Sequence, residues 1–222
     1  MADLGFPAMT ITLMTYAGPV DDHAPMPRTG GVPLVPAGFD WPRCAACSGP
    51  MQFLARLLVS DLSAQGSVPE ASAGVLSVFM CQNDPGLCDE WDPGAGGNRA
   101  LLFPGVGLTV APVPAEGKTL LPETCGIDCT VIDAAVYSEA RSLWAQAHGS
   151  PVRNVLGQLG GVPSWLQHDE TPTCPACAQP MNFVAQLEEG REHQTAMNFG
   201  GGGCGYAFAC SPCGEGSFLW QC

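Results

Sequence analysis

The chain has 222 residues, 46% of them hydrophobic, and its 8 basic residues face 21 acidic ones for a formal net charge of −13. That apolar content provides for a core, while 28 glycines and 21 prolines impose many turns and short elements. The charge speaks against DNA or RNA as a partner, because phosphate contacts from Lys and Arg supply most of such affinity, and no apolar run reaches the length of a membrane span.

In chain order, Met9 to Tyr16 alternates and is rich in β-formers, which predicts an opening strand. The loop from Ala17 to Gly30 carries Asp21, Asp22 and His23 among prolines and suggests no chemistry. Gly30, Gly31, Pro33 and Pro36 force an extended, turn-rich passage into Trp41, read as a core plug, and Pro42. Strands are expected at Met51–Val59, Gly74–Met80 and Arg99–Phe103, with a small-residue loop at Ser63–Ala73 and an edge strand at Leu108–Val113. From Ile132 to His148 the apolar residues recur at helical spacing, Thr130 with Asp133 offers a variant capping box, and Gly149 with Pro151 supplies the stop. A shorter turn is expected around Val152–Gln158. The end of the chain is glycine-rich, then aromatic.

One stretch occurs twice. Gly30–Leu57 and Gly160–Leu187, offset by 130 residues, agree at 13 of 28 positions, where unrelated sequence would share about two. Each copy holds a turn, a CxxC and a strand. Further on, Gly74–Cys81 aligns with Gly203–Cys210 after a shift of one residue, and another cysteine follows each time. Each copy therefore offers two cysteine pairs. Cys44, Cys47, Cys81 and Cys88 form one candidate four-thiolate site, and Cys174, Cys177, Cys210 and Cys213 the other.

Two residues between cysteines let a tight turn aim both sulfurs at one ion, and a hairpin that joins two such turns completes a tetrahedron. Two structural zinc ions (Zn2+) are expected. Each filled site adds four thiolates and one dication, moving the formal charge from −13 to roughly −17. The second copy, with CPAC and CSPC, has the tighter spacing; in the first, Cys81 and Cys88 span CQNDPGLC. Twelve cysteines would also permit disulfides by number. Against these stand the paired CxxC spacings and an N-terminus with no basic n-region, from which a cytoplasmic location is expected. A thioredoxin-like role needs a CxxC that opens a helix, and strand-like sequence follows each one here. A zinc deaminase would need PCxxC with an HxE half, which Thr173 before Cys174 and Ala209 before Cys210 do not provide.

Cys125, Cys129, Cys204 and Cys222 lie outside both sites, as free thiols or a further cluster; Cys204 aligns with Val75 and is expected buried and inert. The histidines, His23, His148, His168 and His193, occur singly and without ligand spacing. No HExxH, GxSxG or phosphate-binding loop appears.

The GG-x-P turn, the strand F-[LV]-A-[RQ]-L, the GGVP-x-WLQ of the second copy and the closing aromatic WxC resemble the YwqG-like family, bacterial and uncharacterised. With CxxC before PM-x-F-[LV]-A-[RQ], the pattern also resembles the N-terminal part of programmed cell death protein 2 and its yeast relative in pre-rRNA processing. The resemblance implies a duplicated α+β fold with mainly antiparallel β-sheets, one main helix and two zinc-ribbon-like knuckles. It places the metal ligands on the eight cysteines already named and the typical turn on Gly160, Gly161, Pro163, Trp165 and Gln167. In the eukaryotic relatives it further implies a chaperone for a basic ribosomal protein of the small subunit.

The expected organisation is a first lobe with a knuckle over residues 1–120, a helical connector over 121–156 packed between the lobes, and a second lobe over 157–222. Two functions are expected as alternatives. One is a non-enzymatic, zinc-stabilised adaptor or chaperone whose acidic surface, including Asp84, Asp89, Glu90 and Asp92, receives a basic protein. The other is an enzyme or small-ligand binder that uses a cleft between the copies.

Overall fold

The computed structural model describes residues 10–59 and 74–222, so Met9 and the expected loop at Ser63–Ala73 lie outside the described residues. Alternation in the opening stretch produces β1 (Thr10–Pro19), with Met14 and Leu13 buried in separate clusters on its two faces. Two-residue strands β2 (Arg28–Thr29) and β3 (Leu34–Val35) follow. Then come β4 (Gln52–Val59), β5 (Gly74–Met80) and β6 (Asn98–Phe103), all close to their expected bounds. The expected edge strand shrinks to β7 (Thr109–Val110), which pairs with β3 in a separate two-stranded sheet.

The middle of the chain departs from expectation. Ile132 and Asp133 close a strand, β8 (Cys125–Asp133), and the helix α1 spans only Tyr137–His148. Thr130 and Asp133 belong to that strand and form no capping box. Val136 is the N-cap and has no side-chain bond; Glu139 Oε2 instead accepts the Ala135 N–H at 2.9 Å. The C-terminus stops as expected, with Gly149 in the left-handed region at φ 57°. After one 3-10 turn, the supposed turn at Val152–Gln158 is mostly β9 (Val155–Leu159). The chain ends in β10 (Asn182–Glu188), β11 (Cys204–Cys210) and β12 (Glu215–Gln221).

Among the described residues, ten strands close into one barrel in the order β1-β8-β2-β4-β5-β6-β12-β11-β10-β9. The antiparallel pairing agrees with expectation; the separate sheets are corrected to a closed barrel, mostly β with one helix. Strands come from all three segments marked out in the sequence. The helix packs through Tyr137, Ala140 and Trp144 on Leu13 and Val155, on the outer face of β1 and β9, rather than between two lobes.

Closure arises from how the two copies interlock. The strands β2, β4, β5 and β6 of the first copy correspond to β9, β10, β11 and β12 of the second, which makes the barrel approximately two-fold. The leading strands are exchanged: β1 pairs with β9, β8 pairs with β2, and β1 and β8 pair with each other, as at Met14↔Cys129 and Tyr16↔Ile127. Even a bulge is duplicated, between Phe53 and Ala55 on β4 and between Phe183 and Ala185 on β10. The bulge turns two successive residues inward, Leu54 with Ala55 and Val184 with Ala185, into a core shared with Leu57, Leu76, Leu187 and Phe218. Burying each such leucine or phenylalanine contributes about 1.5–3 kcal/mol. Phe53, Phe79, Phe183 and Phe208 point outward, and they carry the cysteines.

Candidate metal centre

Each CxxC sits on a tight hairpin that the two copies build identically. Arg43 bridges to Pro50 and Thr173 to Pro180. Within the hairpin, Cys44 N–H donates to Gly49 O at 2.9 Å and Ser48 N–H to Cys44 O at 2.9 Å; the counterparts are Cys174 to Gln179 at 2.8 Å and Ala178 to Cys174 at 2.9 Å. Ser48 and Ala178 take left-handed backbone, φ 61° and 57°. A non-glycine residue adopts it at a cost of about 1–2 kcal/mol. The turn holds both residues there, and both sulfurs face the same point.

The partner cysteines arrive on the neighbouring strand. Cys81 follows β5 and Cys210 ends β11. Cys213 is brought round by one 3-10 turn that Gly214 terminates at φ 69°. In the first copy the longer loop from Gln82 to Leu87 reaches the same arrangement by other means. Leu87 N–H donates to Asp84 O at 3.1 Å, and Gly86 N–H donates to Glu90 Oε1. Gly97 lies so close beneath that an added Cβ would sit 2.4 Å from Cys88 O. The irregular spacing is thus a built loop.

In each tetrad the four sulfurs lie within 4.8 Å of one another. Cys47 Sγ and Cys81 Sγ are 3.6 Å apart, and Cys177 Sγ and Cys210 Sγ 3.8 Å. A tetrahedron with metal–sulfur bonds of about 2.3 Å has edges of about 3.8 Å, whereas a disulfide needs about 2.05 Å. The separations fit a shared ion, and all twelve cysteines are free. Asn83 Nδ2 adds an outer support, donating to Cys81 Sγ at 3.5 Å, to Cys47 Sγ at 3.7 Å and to Pro50 O at 3.1 Å.

Crowding four thiols spreads their acidities. Burial, joined by the Cys81 and Cys44 thiols, pushes Cys88 well up. Hydrogen bonds with Cys177 and Cys210 push Cys213 to about 12. For Cys174 burial acts upward, but the Cys177 and Ala176 N–H groups outweigh it and bring the thiol down to about 7. A dication at the centre would hold all four as thiolates.

Each tetrad rests on an aromatic bed on the outer face of the barrel. Phe79 meets Trp41 edge-on at 5.7 Å in the first, while Phe208 stacks with Trp165 at 6.0 Å in the second. The tryptophans come from different positions of the repeat yet fill similar roles, and Trp41 Nε1 also donates to Met51 O at 2.8 Å, as a plug should. Burial differs: Cys44, Cys81 and Cys88 are buried, whereas in the second tetrad Cys177 is exposed and Cys213 half-buried. Glu90, counted with the acidic surface, is instead 2% exposed and belongs to the loop's internal bonding.

The sequence signature described as "Domain of unknown function (DUF1963)" matches residues 27–210, from β2 to the end of β11. The chain belongs to this DUF1963 family. "Uncharacterized protein YpfL" of Salmonella typhimurium strain LT2 is 47% identical over 60 residues, 26% of this chain and 13% of the relative. The chain thus spans only a small part of that relative. The resemblance to an uncharacterised bacterial family holds at that level.

Among the described residues the remaining cysteines form no third metal-ligating group, and no histidine joins one. Cys129 and Cys222 are exposed and Cys125 is buried. Cys204 is buried, as expected, and its thiol donates to Glu188 Oε1 at 3.7 Å. Burial first, then the Glu188 charge, raises Cys204 to about 12. Its folded value lies above its unfolded one, so the stability it contributes is full below about pH 8.5 and is lost as pH rises toward 12. Cys204→Ala should therefore flatten the alkaline decline, by about 2 kcal/mol at pH 10, in urea titrations at pH 7 and pH 10. An unchanged decline would contradict the assignment.

Proposed function

We propose that the chain is a non-enzymatic, zinc-stabilised protein-interaction module, an adaptor or chaperone for a basic protein of the ribosomal type in the cytoplasm. Two structural zinc ions are the reading that four thiolates at tetrahedral spacing support best, since thiolate donors favour zinc and a filled site leaves no position for water.

The observation that carries the interaction reading is the surface of the first knuckle. Leu87 is 80% exposed and Trp91 40% exposed, beside exposed Asp84, Asp89 and Asp92. Apolar anchors ringed by carboxylates suit a basic partner with an apolar contact point. Nucleic acid is disfavoured there by charge.

The test is capture of basic proteins from an RNA-depleted ribosomal-protein extract on the immobilised, metal-loaded chain. Retention at low salt and release at about 0.3 M salt is expected. Trp91→Ala should weaken the captured complex roughly tenfold, as loss of an aromatic anchor does. If low salt retains no basic protein, the reading fails.

The small-ligand alternative has a specific place to be tested. The cavity where the copies meet, lined by Thr29, Glu123, Cys125 and Arg191, measures only ≈ 20 Å³, space for about one water. A groove of ≈ 500 Å³ beside Gln52, Gln82, Lys118 and Gln194 is larger. Its polar groups are three amides, backbone, the Thr119 hydroxyl and one amine.

A further inference from the structure

The duplication provides an internal control for one buried corner on the outer face of the barrel. Arg28 and Arg56 are register partners on β2 and β4, as Gln158 and Gln186 are, 130 residues later, on β9 and β10. The third member also corresponds: Ser77 pairs with Arg56, and Tyr206 pairs with Gln186. All six are buried, with Arg28 and Ser77 0% exposed and Arg56 4%.

In the second copy this corner is neutral and complete. Gln158 Nε2 donates to Val162 O at 2.9 Å and to Gln186 Oε1 at 3.3 Å, and Gln186 Oε1 accepts the Ser164 N–H at 3.0 Å. Tyr206 Oη donates to Ser164 O at 3.0 Å and accepts the Leu166 N–H at 3.2 Å.

In the first copy two cations stand where the glutamines stand. Arg28 is bonded throughout: Nε donates to Ala24 O at 2.9 Å, Nη1 to Gly30 O and Nη2 to Val32 O, the counterpart of Val162. Arg56 is not. Among the described residues its Nε and Nη1 are buried with no hydrogen-bond partner, and the same holds for Ser77 Oγ across the strand. Among the described residues no carboxylate forms an ion pair with either arginine. Burial and the Arg56 charge draw Arg28 down to about 10, with Asp22 and Asp21 opposing from a distance. A buried guanidinium stays charged and needs a counter-charge as well as acceptors.

We infer that Arg56, Arg28 and Ser77 form a binding site for a small oxyanion, a phosphate or a carboxylate group. Its oxygens accept from the orphaned Arg56 N–H groups and the Ser77 hydroxyl while its charge offsets the two guanidiniums. Serine in place of tyrosine removes a ring from this corner of the first copy. Phe53, which lies 5.5 Å under the Arg28 guanidinium, also packs against the first tetrad, so occupancy steadies the face that carries it. This site is independent of the interaction role proposed above.

The experiment is thermal unfolding of the metal-loaded full chain in phosphate, acetate and chloride at matched ionic strength. Phosphate or acetate should raise Tm over chloride by roughly 5 °C at a hundredfold excess over Kd. Arg56→Gln, the residue of the second copy, should abolish that increment, while Arg153→Gln at an exposed position should keep it. Equal shifts in all three salts, or an increment that survives Arg56→Gln, would overturn the site. Should Arg56→Gln not fold, phosphate binding to the unaltered chain by 31P NMR decides: line broadening supports the site, and an unaltered line at both pH 6 and pH 8 refutes it.

Discussion

Native mass spectrometry of the purified chain will register two divalent ions, and a strong chelator will remove them in two steps. The second tetrad should empty first, because Cys177 is exposed and Cys213 half-buried, whereas three of the four sulfurs of the first are buried. Structural zinc in small finger peptides is worth about 10–16 kcal/mol. Here the barrel has a core of its own, and a loss of about 5 kcal/mol per ion is the scale expected, enough to lower Tm by roughly 10–20 °C in a chain of this size. Cys44→Ser should leave one ion bound and destabilise the hairpin that Cys44 anchors through its N–H bond to Gly49 O. Acid should mimic the chelator, since protons compete for the thiolates. An unfolding curve indifferent to chelation would remove the metal reading.

The largest expected effect of a single methyl group falls at Gly157. This residue lies in β9, which pairs with β1 on one side and β10 on the other, and the β1 register shifts beside it, between Met14 and Thr15. Its φ is 146°, and an added Cβ would stand 1.9 Å from Gln186 O and 2.9 Å from Gln186 C. Backbone cannot yield there without parting β9 from β10. Gly157→Ala should therefore cost more than about 4 kcal/mol, the range reserved for disrupted cores and strained backbone. Gly161→Ala is the control: φ is 75° but nothing lies within 4 Å, so only the left-handed penalty of about 1–2 kcal/mol applies. Urea titrations of both variants measure the difference, and equal losses would show that the contact at Gly157 is relieved.

The parts of the molecule legible in the sequence are those set by short-range chemistry. The CxxC hairpins, the strands β4 and β5 and the glycine stop of α1 each depend on a few adjacent residues. The eight candidate ligand positions are readable from their spacing, and the structure brings each four together. The features that escape such reading are long-range. Cys125–Asp133 is rich in Thr, Val and Ile, a signal for β8, but its last two residues also fit the helical period that continues into α1. Barrel closure depends on β1 meeting β8 and β9, partners more than a hundred residues away, and no local pattern specifies that choice. The polar corner has a readable mark: Arg28 and Arg56 face Gln158 and Gln186 across the repeat, and those mismatches are informative only once pairing places them together. Asn83 and Glu90 likewise have roles only inside the folded loop.

The exchange of leading strands also sets a timetable for synthesis. The last residue of β1 is Pro19, and its partner β9 is complete only at Leu159. At ribosomal rates of about 5–20 residues per second, β1 waits roughly 7–28 s for a place in the barrel. All four sulfurs of the first tetrad are in the chain once Cys88 is added, because both of its cysteine pairs flank the β4–β5 hairpin. A metal ion bound at this tetrad would therefore meet all four sulfurs on a nascent hairpin while most of the barrel is still untranslated. The supply of that ion during translation, more than after release, would then govern how much of the chain reaches its native state.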